Sequence, residues 1–254
     1  MKAGEDELNR TFWTTFKLWG KLSSFYSVML KGLPHGADVE INELKETGEE
    51  MYKNGQLGNF LTDPSKVEDF YAIIESQMEQ THQRIKTEAK NALDAAAIVY
   101  AHGILDASAY GYLEVLSLAS PKSFETYIGK RHVCLSDVGS KSYEQLYKEK
   151  IDDFMKKTVE KNSLIYKLDK LHEITKPTNT LINPSNKYDR DRLDKFDKIR
   201  HDIVHGNDWS RYSIDFIKES FYWNILNFYL LRLVVHKTGL KLSQEGGNRY
   251  LLGL

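Results

Sequence analysis

The sequence predicts an all-α protein. Two observations carry that expectation: apolar residues recur at steps of three and four along most of the chain, and only five prolines and sixteen glycines interrupt 254 residues. With 41% apolar and 28% charged residues, the composition is that of a chain able to bury a core, and not of a disordered or collagen-like one. The length allows one large helical domain or two modest ones.

The elements follow in order. Residues 7–30 place Leu8, Phe12, Phe16, Trp19, Leu22, Tyr26 and Met29 on one stripe, which predicts an amphipathic helix. The stretch GLPHG, residues 32–36, is expected to end it. A weaker helix follows at about 39–53, then NGQLGNF, then Thr62 or Asp63 ahead of Pro64 in the arrangement of a helix start. The long helix expected there runs without proline to about 118. Residues 95–99, Ile104, Leu105, Leu113, Val115 and Leu116 make it apolar nearly all round, as a central, buried helix is. Gly103 and Gly111 are positions for a bend or for the close approach of a neighbouring helix. Pro121 stops it, SFETYIGK predicts a short helix, and RHVCLSDV an extended piece. Residues 142–173 read as two charge-laced helices or one bent one, and 176–188, with two prolines and three asparagines, as a loop. Two helices, roughly 190–205 and 212–237, close the chain on either side of HGNDWS.

Composition also narrows the classes of function. The single cysteine, Cys134, excludes an internal disulfide and a four-cysteine zinc site, and fits a reducing, intracellular setting. The start MKAGEDELNR is acidic where an export signal needs a basic start and an apolar run, so a cytoplasmic location is expected. The most apolar window, 221–235, contains Asn224, Asn227 and Arg232 and is too short to cross a bilayer. Thirty-five basic against 36 acidic side chains leave a net charge of -1, so any site for an anion must be local.

The informative segment is DRLDKFDKIRHDIVHGN, residues 191–207. At about 100° per residue, Leu193, Phe196, Ile199, Ile203 and Val204 share one arc, and Arg200 falls inside it. A guanidinium among apolar side chains needs an anion, either a carboxylate of the fold or a phosphate. His201 and His205, four apart, share a neighbouring face. Gly206 is expected to end the helix in the left-handed conformation. His205 then sits at the C-terminal end, where the helix dipole favours positive charge, and histidine is the side chain suited to acid–base work near neutral pH. A structural arginine paired with a core carboxylate and a histidine that caps a helix would show the same spacing, so spacing alone leaves both readings open.

The string Arg200-His201-Asp202-Ile203-Val204-His205-Gly206 resembles the signature of the HEPN family: Arg, a polar residue, three further positions, then His, often followed by Gly. The surroundings agree, with a lysine- and leucine-bearing helix before the motif and an aromatic- and leucine-rich helix, 213–236, after it. The upstream long helix and the segment ASPKSFETYIGKRHVCLSDV also resemble the front half of prokaryotic ribonuclease-like members. The likeness covers about 75–240. It implies a HEPN-type helical bundle over those residues, an N-terminal helical extension over 1–74 and a tail over 241–254. It further implies a homodimer in which two Arg/His motifs meet, and a metal-independent endoribonuclease at that junction, with Arg200, His201 and His205 as catalytic residues and no cofactor. The resemblance suggests a prokaryotic toxin or defence effector, with a protein antitoxin or regulator as a further partner. Members silenced by a nucleotidyltransferase usually carry Tyr two residues after the His; Asn207 stands there, which puts that mechanism in doubt. Some family members do not cleave RNA, so a silent module that binds RNA, a nucleotide or a protein is the alternative.

Other positions carry weaker signals. HDIVH, residues 201–205, is one residue from a zinc-binding HExxH helix, but a shorter Asp replaces the Glu base and no third ligand is evident. Lys130, Arg131 and His132 can touch phosphate, or form a solvated turn. Arg190, Lys198, Asn207 and Trp209 are candidate RNA contacts around the motif, with Trp209 or Tyr212 as a stacking platform. Phe12, Trp13, Phe16 and Trp19 read as core or interface, and His102, His172 and His236 have no partner recognisable from sequence.

Overall fold

The first helix runs further than its sequence suggests. In the computed structural model, which describes residues 2–54, 64–128, 141–176, 189–206 and 215–243, α1 spans Lys2–Lys53 with Pro34 inside it. The expected break at residues 32–36 is therefore corrected to one continuous helix. A proline here removes the bond from its own nitrogen to the Leu30 carbonyl and crowds that carbonyl with its ring. Pro34 and its neighbours His35 and Gly36 are exposed, so water can satisfy that carbonyl. The apolar row also continues in phase across the proline, from buried Tyr26 through half-buried Leu30 and Leu33 to buried Ala37 and Ile41.

Beyond α1, the described elements are α2 (Pro64–Ala119), a 3₁₀ turn (Pro121–Phe124) leading into α3 (Glu125–Ile128), α4 (Tyr143–Phe154) continued by a π-helical turn (Met155–Val159), α5 (Leu164–Thr175), α6 (Arg190–Val204) and α7 (Phe216–Thr238). The protein is all-α: every regular element among the described residues is helical. Pro64 opens α2 as expected, and 142–173 resolves into two helices, started by the Ser142/Gln145 capping box and by Ser163. The extended piece expected at 131–138 and the Lys130, Arg131, His132 cluster lie outside the described residues.

The chain divides into two compact units, Ser23–Ala97 and the remainder, Met1–Leu22 with Ile98–Leu254. In the first, α1 and α2 run antiparallel: the Tyr26 hydroxyl donates to the buried carboxylate of Asp94, Lys90 Nζ meets the same group at 2.6 Å, and His82 Nε2 lies 2.8 Å from Asp38 Oδ1. Asp94 is wholly buried, so these two donors offset its desolvation.

In the larger unit, Leu8, Phe12, Trp19 and Leu22 of α1 are buried, whereas Phe16 of the predicted stripe is 46% exposed and Thr15 takes its place inside. α2 is buried nearly all round from Ala97 to Leu116, apart from Gly103, Tyr100 and Ala107, which face solvent. Gly111 is a close approach: a Cβ there would stand 2.6 Å from Oγ1 and 2.8 Å from Cγ2 of Thr11. Asn227 of α7 accepts from Ser108 at 2.9 Å and from Tyr112 at 3.3 Å, and Lys167 of α5 is buried on Asp106 at 2.6 Å.

Candidate functional site

The Arg/His motif occupies the last turns of α6, and the local sequence explains how α6 is held. Asp189 caps its start, accepting from the backbone of Arg192. The Asp189 N–H in turn donates to the Tyr222 hydroxyl at 2.8 Å. Arg192 reaches Glu219 at 2.6 Å and lies over the Tyr222 ring, 4.2 Å from its centre. Leu193, Phe196 and Ile199 are buried, with the Phe196 ring edge-on to Trp223 at 5.1 Å and Trp223 edge-on to Trp19 at 5.8 Å. This aromatic seam fixes α6 against α7 and α1 and leaves its far end unburied.

That end differs from expectation. Ile203 is half-buried, Val204 is 57% exposed and Arg200 is exposed, so the predicted apolar arc stops at Ile199 and Arg200 does not lie within it. The reason is tertiary. The buried side chains of α6, Leu193, Phe196 and Ile199, all lie within its first ten residues. Arg200 forms no ion pair among the described residues, and the structural reading of it as a core arginine on a carboxylate finds no partner there.

His201 and His205 do come together, their ring centres 4.3 Å apart at 48°. His205 is the C-cap, its N–H bonded to the His201 carbonyl at 3.0 Å, and Gly206 turns the chain at φ +68°. Only glycine adopts that value without strain, so the left-handed ending expected from sequence is present. Arg200, His201 and His205 are thus all exposed in the last turns of α6, the two imidazoles in contact and Arg200 about 100° round the helix from His201.

The candidate RNA contacts separate. Lys198 is exposed on the same part of α6. Arg190 is at the opposite end, about 15 Å from Arg200 along the axis, and is paired with Asp169 at 3.2 Å. Asn207, Trp209 and Tyr212 fall outside the described residues. Among those residues no group of three or more His, Cys, Asp or Glu side chains is placed to hold a metal ion.

One residue near the motif escaped sequence reasoning. His102 of α2 is 5% exposed, and its Nε2 lies 3.1 Å from Asp197 Oδ1 of α6, without the alignment of a hydrogen bond. Burial, and next the positive charge of Arg200, push its pKa below the ordinary 6.5, against the smaller pull of Asp197 and Asp106. The signal in the sequence was a lone histidine in an apolar run, AIVYAHGIL; its partner comes from another helix. His172 meets Tyr229 at 3.3 Å. A cavity of about 480 Å³ where α2 ends against α4, lined by Leu118, Tyr147 and Ile151 among others, includes no residue of the motif.

Compared with protein-family models, with curated proteins and with solved structures, the chain matches none.

Proposed function

We propose that the chain is a HEPN-type endoribonuclease that works without a metal ion, as a homodimer whose two Arg/His motifs meet. The observation that supports this reading best is the condition of three side chains: Arg200, His201 and His205 are exposed together at one helix end, with the imidazoles in contact and Arg200 unpaired among the described residues. A structural arginine would be paired with a carboxylate of the fold. These groups are left to solvent, where a phosphodiester can reach them.

The chemistry assigns each a task. His205 takes the proton of the ribose 2′-hydroxyl as that oxygen attacks the adjacent phosphorus. Arg200 grips the non-bridging oxygens and stabilises the charge of the phosphorane, which its planar fork suits better than a lysine would. A second imidazole, His201 or the His205 of the other copy, protonates the departing 5′-oxygen. The products are a 2′,3′-cyclic phosphate and a 5′-hydroxyl, and DNA, which lacks the nucleophile, is not cut. The expected setting is a cytoplasmic toxin or defence effector in a prokaryote.

The test is incubation of the protein with structured and unstructured RNA in excess chelator. Cleavage that persists there and disappears in His205→Ala supports the reading. Binding without cleavage points to a silent module, and activity that the chelator abolishes points to a metal-dependent hydrolase.

A further inference from the structure

Asp197 precedes Arg200 by three positions, the spacing at which Asp and Arg ordinarily pair on a helix surface. No such pair forms. Asp197 Oδ1 lies instead 3.1 Å from Nε2 of His102, and Arg200 has no acidic partner among the described residues. On the helix, Asp197 lies about 60° from Arg200 on one side and about 40° from His201 on the other, so it sits between the two groups that the motif exposes.

His102 is unusual in its own right. It is 5% exposed, next to the fully buried Ala101 and Leu105, and neither ring nitrogen has a hydrogen-bond partner. An apolar side chain would pack there without stranding a donor and an acceptor, so the fold alone does not call for histidine. The charged groups that act on it are Asp197 and Arg200 from α6 and Asp106 from α2, the last occupied by Lys167 of α5. Burial, and next the positive charge of Arg200, disfavour the protonated ring.

We propose that His102 is a positioning residue of the Arg/His site: the polar Nε2 edge of its ring, 3.1 Å from the Asp197 carboxylate, draws that group toward α2 and so keeps the Arg200 guanidinium clear of carboxylate and open to a phosphodiester. The nature of the anion rests on the ribonuclease reading; the holding of Asp197 does not.

The rate at which phenylglyoxal modifies Arg200 in the full chain, followed by peptide mass spectrometry, tests this directly, because a carboxylate on the guanidinium slows the reaction. His102→Leu should lower the rate several-fold, and His102→Leu with Asp197→Ala should restore it. His102→Gln, whose amide can donate to Asp197, should react like the parent. An unchanged rate in folded His102→Leu overturns the proposal. Should that variant fail to fold, Asp197→Asn decides: an unchanged rate supports the proposal, and a faster one overturns it by showing that Asp197 already covers Arg200. RNA cleavage should fall and recover in the same order across the single and double variants. A parent protein that does not cut RNA removes the ribonuclease reading alone, and the modification rates still decide the role of His102.

Discussion

Arg200 differs from the other arginines of α6 in what it touches. Arg190 and Arg192 are committed to Asp169 and Glu219, whereas Arg200 is exposed and unpaired among the described residues. Replacing it should therefore cost little stability, within about 0.5 kcal/mol, as for an ordinary surface substitution. Loss of its charge from the phosphorane should lower cleavage by about 10²–10³. Urea unfolding and a single-turnover cleavage assay on Arg200→Ala check both halves; unfolding of the variant would return Arg200 to a structural role. His102 makes a second prediction, in pH. Its folded pKa lies below 6.5, so on acidification from pH 7 the unfolded chain takes up this proton first, and stability falls until the folded value is passed. One such group contributes a slope of at most about 1.4 kcal/mol per pH unit. Unfolding free energies at about pH 7 and pH 5.5 should diverge less in His102→Leu than in the parent. The residues of the motif were legible because their spacing is local. Their exposure was not, because the helical wheel of α6 cannot say where the surface it packs on ends, and the meeting of His102 with Asp197 depends on how α2 and α6 pack.

At the scale of elements, α6 is only as well placed as its aromatic seam. Phe196→Ala removes the ring that packs on Trp223 and should cost about 3–5 kcal/mol, with RNA cleavage lost in proportion to the unfolded fraction; a thermal melt and an activity assay at two temperatures read this. Gly111 tests the α1 and α2 contact. Alanine gains about 1 kcal/mol of helix propensity, but its Cβ would stand 2.6 Å from Thr11 Oγ1, and overpacking of that kind costs about 1–3 kcal/mol. Gly111→Ala should therefore be destabilised on balance, and Thr11→Ala in the same chain should recover much of the loss. The sequence made α2 and the Gly206 ending visible, since a Pro start and a glycine stop are short-range signals, and it left 142–173 open between two helices and one bent one. It misplaced the end of α1, because proline propensity is weighed against a packing row that continues in phase on both sides of Pro34, and that row is satisfied only when α2 is present.

For the molecule as a whole, near-neutral charge bears on how RNA is met. With a net charge of -1, attraction must come from a few local cations such as Arg200 and Lys198. The affinity for single-stranded RNA should fall with salt at a slope of about -1.4 to -2.8, two to four phosphates at roughly -0.7 each. A slope near -7 would mean a basic surface that the composition does not supply. The proposed junction of two motifs requires a dimer, so sedimentation should find one at concentrations where RNA is cut, and specific activity should drop on dilution. No helix among the described residues is long and apolar enough to cross a membrane. The chemistry itself is tested most directly by the ends left on an RNA oligomer cut in excess chelator, compared with the same oligomer carrying a single 2′-deoxynucleotide 5′ to the scissile phosphate. Attack by the neighbouring hydroxyl predicts a 2′,3′-cyclic phosphate and a 5′-hydroxyl from the first and no cut at that position in the second; a 5′-phosphate, or cleavage that ignores the missing hydroxyl, would contradict the account.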